Sequence, residues 1–336
     1  MQSVLNGAAW KLTGLAAALL LLAFALYASI VYGVIGTSWR TAVDAYFHYN
    51  GSNEHIAIRQ LRVPRALIAA AVGASLGIAG TLLQALTKNP LADLGLMGIN
   101  SGAGLAIVCA VTFFSVSSLR DYTWIAFIGA IASGIVVYIL GSAGRDGLSP
   151  LKVTLAGAAV TALASSMIHA LLLANKRNME EVLYWLAGSV QGRSLSLLGD
   201  VFPYMAAAWL GAFAIAGPMN TLLLGDDVAK GLGQRTALVK AAAGAIVMTL
   251  CATSVAVAGP IAFIGLVTPH LCRYLIGGDI RWMTVYSAFV GAILLIAADI
   301  AGRFAAMPGE MPIGVMTALI GTPFFIYVAR KGWSGK

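Results

Sequence analysis

The sequence predicts an all-α polytopic membrane protein, one transmembrane domain over residues 1–336 with about ten membrane-spanning helices. Two observations lead there. Of the 336 residues, 60% are hydrophobic and 10% charged, with a mean hydropathy of +0.87. Soluble domains carry about a quarter charged residues, and a globule needs a wetted polar surface that this composition cannot supply. Nine stretches then lack any Asp, Glu, Lys or Arg: 12–39, 66–87, 94–119, 122–144, 153–175, 201–225, 241–272, 282–298 and 311–329. A bilayer core of about 30 Å is crossed by roughly 20 helical residues. A soluble enzyme, a disordered tail and a collagen-like fibre are excluded. So is a nucleic-acid binder, despite the formal net charge of +8, because cytoplasmic loops of membrane proteins supply such an excess.

The first stretch is longer than the apolar core of a signal peptide and leads into further spans, so it reads as a retained helix. The second ends at Asn89-Pro90, because proline disfavours a helical residue before it. Stretch 241–272 is too long for one span and contains Gly259-Pro260, a breaker, so it divides into two. The total becomes ten, which places both ends on one side. With that side cytoplasmic, twelve Lys and Arg lie inside and nine outside, the expected asymmetry.

Four of the outer cations sit at span ends: Arg59, Arg62, Arg65 and Arg303. A spacing of three keeps the first three on one face if the segment is helical, and Pro64 stiffens the approach. Such arginines either anchor helix ends at lipid headgroups or receive carboxylates from a partner, since guanidinium suits bidentate pairing. Asp299 and Arg303 form an i, i+4 pair that neutralises charge and can aim the arginine. Between the sixth and seventh spans, LGDDVAKGLG (224–233) places Gly225, Gly231 and Gly233 around a short helix with Asp226 or Asp227 as its cap.

No G-x-x-x-x-G-K-[ST] or H-E-x-x-H occurs, so neither a phosphate-cradling loop nor a zinc pair is present. Cys109, Cys251 and Cys272 lie apart in apolar runs and read as core residues. His48, His55, His169 and His270 are scattered, with no chelating cluster, which disfavours transport of a bare metal ion. Asp200 and Asp299 are the few carboxylates near spans. Ion-coupled carriers keep ionisable groups near mid-membrane, so energy for uphill movement is expected from another subunit.

Five segments then become specific: RVPRALIAAAVGASLGIAGTLLQALTKNPLADLGLMGINSGAG from Arg62, TLLLGDDVAKGLG from Thr221, GPIAFIGLVTPHLCR from Gly259, AADIAGR from Ala297 and EMPIGVMTALIGTPFF from Glu310. In this order they resemble the FecCD family of ABC importer permeases, which includes cobalamin, haem and ferric-siderophore permeases. The resemblance implies a type II ABC importer permease fold in the cytoplasmic membrane of a bacterium. It implies a second permease chain, identical or paralogous, an ATPase dimer docked from the cytoplasm and a solute-binding protein docked outside. No cofactor is expected on this chain; ATP and magnesium belong to the ATPase.

By resemblance, Arg62, Arg65 and Arg303 match external arginines that pair with glutamates of the binding protein, and Arg59 has no such match. The 224–233 segment matches the coupling helix, with Asp226, Asp227, Ala229, Lys230 and Leu232 as candidate contacts. Ser149, Pro150, Leu151 and Lys152 fall at the family's cytoplasmic gate, where some relatives carry small hydroxyl residues; Pro150 and Leu151 make it more hydrophobic here. The resemblance also implies that the fifth span lines the translocation path. The Pro269-His270 pair belongs to the family's eighth span and is not read as a ligand. Ferric siderophore is the expected solute, as the commonest of the family, with haem and cobalamin as alternatives. An ion-coupled secondary transporter working alone is the alternative of a different class.

Overall fold

The computed structural model describes residues 4–5, 7–33, 36–143, 150–174, 179–307 and 309–331. Among them there are helices and no strands. In chain order they are α1 (Ala8–Val31), α2 (Trp39–Phe47), α3 (Asn53–Ile56), a π-helical turn (Ala57–Arg62), α4 (Val63–Thr87), a 3-10 turn (Leu94–Met97), α5 (Ile99–Phe114), α6 (Leu119–Ser142) and α7 (Pro150–Ala174). They continue as α8 (Met179–Leu186), α9 (Leu195–Leu223), α10 (Asp226–Gly231), α11 (Thr236–Ala258), α12 (Ile264–Ile276), α13 (Ile280–Ala305) and α14 (Ile313–Lys331). Seven helices are long and apolar enough to cross a membrane. Among the described residues, α5 and α14 are shorter apolar helices, and α12, at 13 residues, is too short to cross a bilayer core of about 30 Å by itself, so the ten expected spans correspond to seven full-length helices and shorter ones.

α4 is the centre of the bundle: 83% of its apolar window is buried, against 17% for α1, 22% for α7 and 22% for α9. In lipid, helix association depends on packing, and small residues permit close backbone approach. A Cβ on Gly80 would lie 1.9 Å from the Gly265 carbonyl oxygen of α12, and one on Gly73 would lie 2.4 Å from the Gly291 carbonyl oxygen of α13. Those glycines draw α12 and α13 onto α4.

The break at Gly259 is where the sequence puts it. α11 ends at Ala258, Gly259 takes φ 70°, and the chain runs without helix to α12. Irregular backbone at membrane depth is tolerated where protein buries it; Ile261 and Ile264 are both 5% exposed, and Ser189 N–H donates to the Ala258 carbonyl at 2.7 Å.

Two local expectations are corrected. The first apolar stretch does not run as one helix to Trp39: α1 stops at Val31, and Trp39 begins α2, capped by the Ser38 hydroxyl. Nor do Asp226 and Asp227 cap α10. Gly225 is the cap residue at φ 117°, a conformation suited to glycine, and Asp226 is already helical and turned towards lysines.

The bundle has a near end, where α1 begins, and a far end opposite. At the near end Leu5 N–H donates to the Leu275 carbonyl at 2.8 Å and Tyr286 Oη donates to the Lys11 carbonyl at 2.6 Å. The far end holds the C-termini of α1 and α13 and the start of α4.

Candidate functional sites at the two ends of the bundle

At the far end the predicted arginines do not share one face. Residues 57–62 wind as a π-helix, whose wider turn displaces residues that an α-helix would stack. Arg59 reaches α2: its Nε donates to the Ala45 carbonyl at 2.6 Å, and the guanidinium lies over the Tyr49 and Tyr46 rings at 4.3 and 5.2 Å. Arg62 caps α1, donating to Val31 at 2.8 Å, Ile30 at 3.0 Å and the Thr37 hydroxyl at 2.6 Å. Helix C-terminal carbonyls lack internal partners and favour cations.

Arg65 turns to α13. Its Nε lies 2.9 and 3.0 Å from the two Asp299 oxygens, and another nitrogen meets Glu310 at 2.5 Å. Arg303 takes the other side of the same carboxylate at 2.5 Å and donates to the Ser29 and Tyr32 carbonyls at 2.6 and 2.5 Å. Arg65 and Arg303 therefore meet on Asp299, with Glu310 on Arg65, while Arg62 binds the C-terminal end of α1, where Arg303 also donates, and Arg59 lies apart. The predicted Asp299–Arg303 pair forms, and Asp299 also serves Arg65. The side chains of Asp299 and Arg303 are almost wholly enclosed; Arg65 is 11% and Glu310 17% exposed. Sequence reasoning misses Glu310, because a loop carboxylate far along the chain gives no local signal of its partner.

At the near end, α10 packs between α9 and α11. Asp226 pairs with Lys240 and lies 3.6 Å from Lys88, so three helices are pinned by one carboxylate. The Lys240 hydrogen bond is the main cause holding the Asp226 carboxyl below the usual range. Asp227 is fully exposed and lies 3.9 Å from Lys230. Ala229 is fully buried, so its methyl packs inward, whereas Leu232 is 68% exposed. Leu224 and Val228, missed by sequence reasoning, are 66% and 50% exposed. Val228 and Leu232, four apart along α10 and its C-cap, share one face, and Leu224, at the end of α9, adds a third bare apolar side chain.

Of the predicted gate, Ser149 lies outside the described residues. Pro150 opens α7, Leu151 is 68% exposed, and Lys152 Nζ lies 3.5 Å from the Ala143 carbonyl.

α7 itself has three faces. Gly157, Ala164 and Ile168 are buried. Leu163 and Met167 form an exposed apolar strip. Thr154, Ala158, Ala162, Ser166 and His169 form an exposed strip of small and polar residues beside it. A histidine within a span faces protein or water rather than acyl chains. Among the described residues, no group of three or more His, Cys, Asp or Glu could hold a metal ion.

Comparison with known proteins matches this architecture. The model of the FecCD transport family matches residues 20–331. The chain is 52% identical over 308 residues to "Probable siderophore transport system permease protein YfiZ" of Bacillus subtilis strain 168, covering 92% of each chain. It is 41% identical over 315 residues to the Fe(3+)-citrate import system permease protein YfmD of the same organism, covering 94% of this chain and 93% of the other. A solved inward-facing structure, of an ABC transporter assigned to the metal-chelate type, superposes with a TM-score of 0.82 at 26% identity, covering 96% of this chain and 99% of that one. With a helical bundle packed around α4 and matching residues along most of its length, the chain belongs to the FecCD transport family.

Proposed function

We propose that this chain is the membrane-spanning permease of a binding-protein-dependent ABC importer, and that it carries ferric siderophores across the cytoplasmic membrane of a bacterium. A separate ATPase dimer, holding ATP and magnesium, docks at the near end, which is cytoplasmic. A solute-binding protein docks at the far end, and a second permease chain completes the path. The observation that carries this reading is α10: a short helix pinned by Asp226 to Lys88 and Lys240 that leaves Leu224, Val228 and Leu232 bare. A stiff, uncovered apolar knob at the membrane edge suits a cleft on a soluble subunit and can pass that subunit's motion to α9 and α11.

The small and polar strip of α7 supports a wet conduit shared with the second permease, because Ser166 and His169 would otherwise face lipid. Of Arg62, Arg65 and Arg303, Arg65 is the most exposed and the one a partner can best reach. A carboxylate of the binding protein would take the place of Glu310 on Arg65, while Asp299 keeps the guanidinium aimed. Such exchange sets orientation and on-rate more than affinity.

The ferric siderophore is supported by the siderophore for which the first relative is named, and the Fe(3+)-citrate named for the second is likewise a ferric chelate. An ion-coupled carrier is disfavoured by the same geometry, since Asp299 is locked between two arginines rather than free to exchange protons. The test is uptake in proteoliposomes. With ATPase, binding protein and ATP present, solute identified by mass spectrometry on the co-expressed binding protein should accumulate. Val228→Asp with Leu232→Asp should abolish uptake while the complex still binds ATP. Accumulation by this chain alone would overturn the proposal.

A further inference from the structure

At the far end, the helix α2 has no place in the docking or coupling machinery. Its nine residues divide into three edges. Ala42 and Ala45 pack inward against Val31 and Ile58. Arg40, Asp44 and His48 form a polar edge, with Arg40 3.8 Å and His48 3.4 Å from Asp44. Trp39, Val43 and Phe47 form the third, apolar and 38%, 44% and 79% exposed.

The depth of that third edge is fixed by α1. Trp39 stacks on Phe24 at 6.1 Å and meets Tyr27 at 4.8 Å and Tyr32 at 5.9 Å, while Tyr27 Oη donates to the Trp39 carbonyl at 2.6 Å. Phe24 lies seven residues before Val31, the last residue of α1, so the chain folds back by about 10 Å along the span. The 24 residues of α1 reach about 36 Å, against a hydrocarbon core of about 30 Å. Trp39 therefore sits beside the last two turns of a span, at the depth where Trp and Tyr collect in membrane proteins. The exposed face of α1, with Leu20 70% and Phe24 59% uncovered, is a lipid-facing surface. Through the Phe24–Trp39 stack it continues without a break onto the apolar edge of α2.

We infer that α2 is an interfacial anchor whose Trp39–Val43–Phe47 edge lies in the acyl and headgroup boundary of the leaflet at the far end, with lipid as its partner. Its polar edge faces water. Depth declines from Trp39 to Phe47, because Ala45 is held by Arg59, which precedes the membrane part of α4. The anchor thereby ties the π-helical turn to the bilayer surface. This inference rests on the chain spanning a membrane and is independent of solute and energy source.

Spin labels test it. In a Cys109→Ser background, single cysteines at Arg40, Val43, Phe47 and His48 are labelled with a nitroxide. The transporter, with its co-purifying subunits, is reconstituted in phosphatidylethanolamine–phosphatidylglycerol vesicles. Power saturation then compares collisions with oxygen, enriched in lipid, and with a nickel chelate, confined to water. The expected oxygen-to-nickel ratio is several-fold higher at Val43 and Phe47 than at Arg40 and His48, and higher at Val43 than at Phe47. Equal, water-like ratios at all positions would overturn the inference. So would protection of Val43 and Phe47 from both reagents, which would place protein there, either a second copy or a docked subunit.

Discussion

Replacing Asp299 with asparagine is the most searching perturbation of the far end. The carboxylate is 1% exposed and serves Arg65, 11% exposed, and Arg303, 2% exposed, so water screens the loss poorly. Asparagine keeps the shape and removes the charge. The ion-paired cluster passes from two arginines against two carboxylates to two against one. Breaking a buried ion pair by removing one partner costs about 3–5 kcal/mol. The lower end applies, because Arg65 keeps Glu310 and Arg303 keeps the Ser29 and Tyr32 carbonyls. Taking about 2 °C per kcal/mol, melting should fall by about 6 °C. Glu310→Gln, at a partly wet site, should cost about 1.5 kcal/mol and shift melting by about 3 °C. The assay is built in: Cys251 and Cys272 are buried free thiols, so a maleimide that fluoresces on reaction reports their exposure as the detergent-solubilised protein is heated. An Asp299→Asn protein melting together with the wild type, or above Glu310→Gln, would refute the shared-carboxylate account.

Three further outcomes are expected. The Asp226 carboxyl is held below its usual value by Lys240, so the tie it gives α10 is present above pH ~4 and is lost as pH falls through the lowered value. Hydrogen exchange of α10 amides should thus be unchanged, after correction for intrinsic rates, between pH 5 and 8, and should rise across that range in Asp226→Asn. Gly80→Ala puts a methyl against the Gly265 backbone oxygen; since neither backbone can yield cheaply, overpacking costs about 1–3 kcal/mol or more, read as loss of folded protein in size-exclusion chromatography, whereas Gly244→Ala, with open space at its Cβ, should be neutral. In the assembled transporter, cysteines at Ala162 and Ser166 should react with a water-soluble maleimide while cysteines at Leu163 and Met167 should not; equal reaction at all of them would remove the wet face of α7.

Membrane-type composition and helical class are legible in the sequence, and so are the apolar runs, although among the described residues seven helices rather than ten are long and apolar enough to cross. They depend on apolar run length against a fixed bilayer thickness, a property local to each segment, and even the break at Gly259-Pro260 is visible as a glycine and a proline in an overlong run. The far-end arginines are legible as residues but not as an arrangement. Periodicity presumes an α-helix where residues 57–62 form a π-helix, so it gives Arg59, Arg62 and Arg65 one face, and in the fold they take different partners. Pairing is the part no segment encodes alone. Asp299 meets Arg65 across 234 residues, Arg65 meets Glu310 across 245, and Asp226 meets Lys240 from another helix. Which carboxylate answers which cation depends on the packing of α1 and α13 around α4, and that packing is set by close backbone contacts at glycines. Only the folded chain decides it, because charges find each other at distances of a few ångströms that sequence separation does not measure.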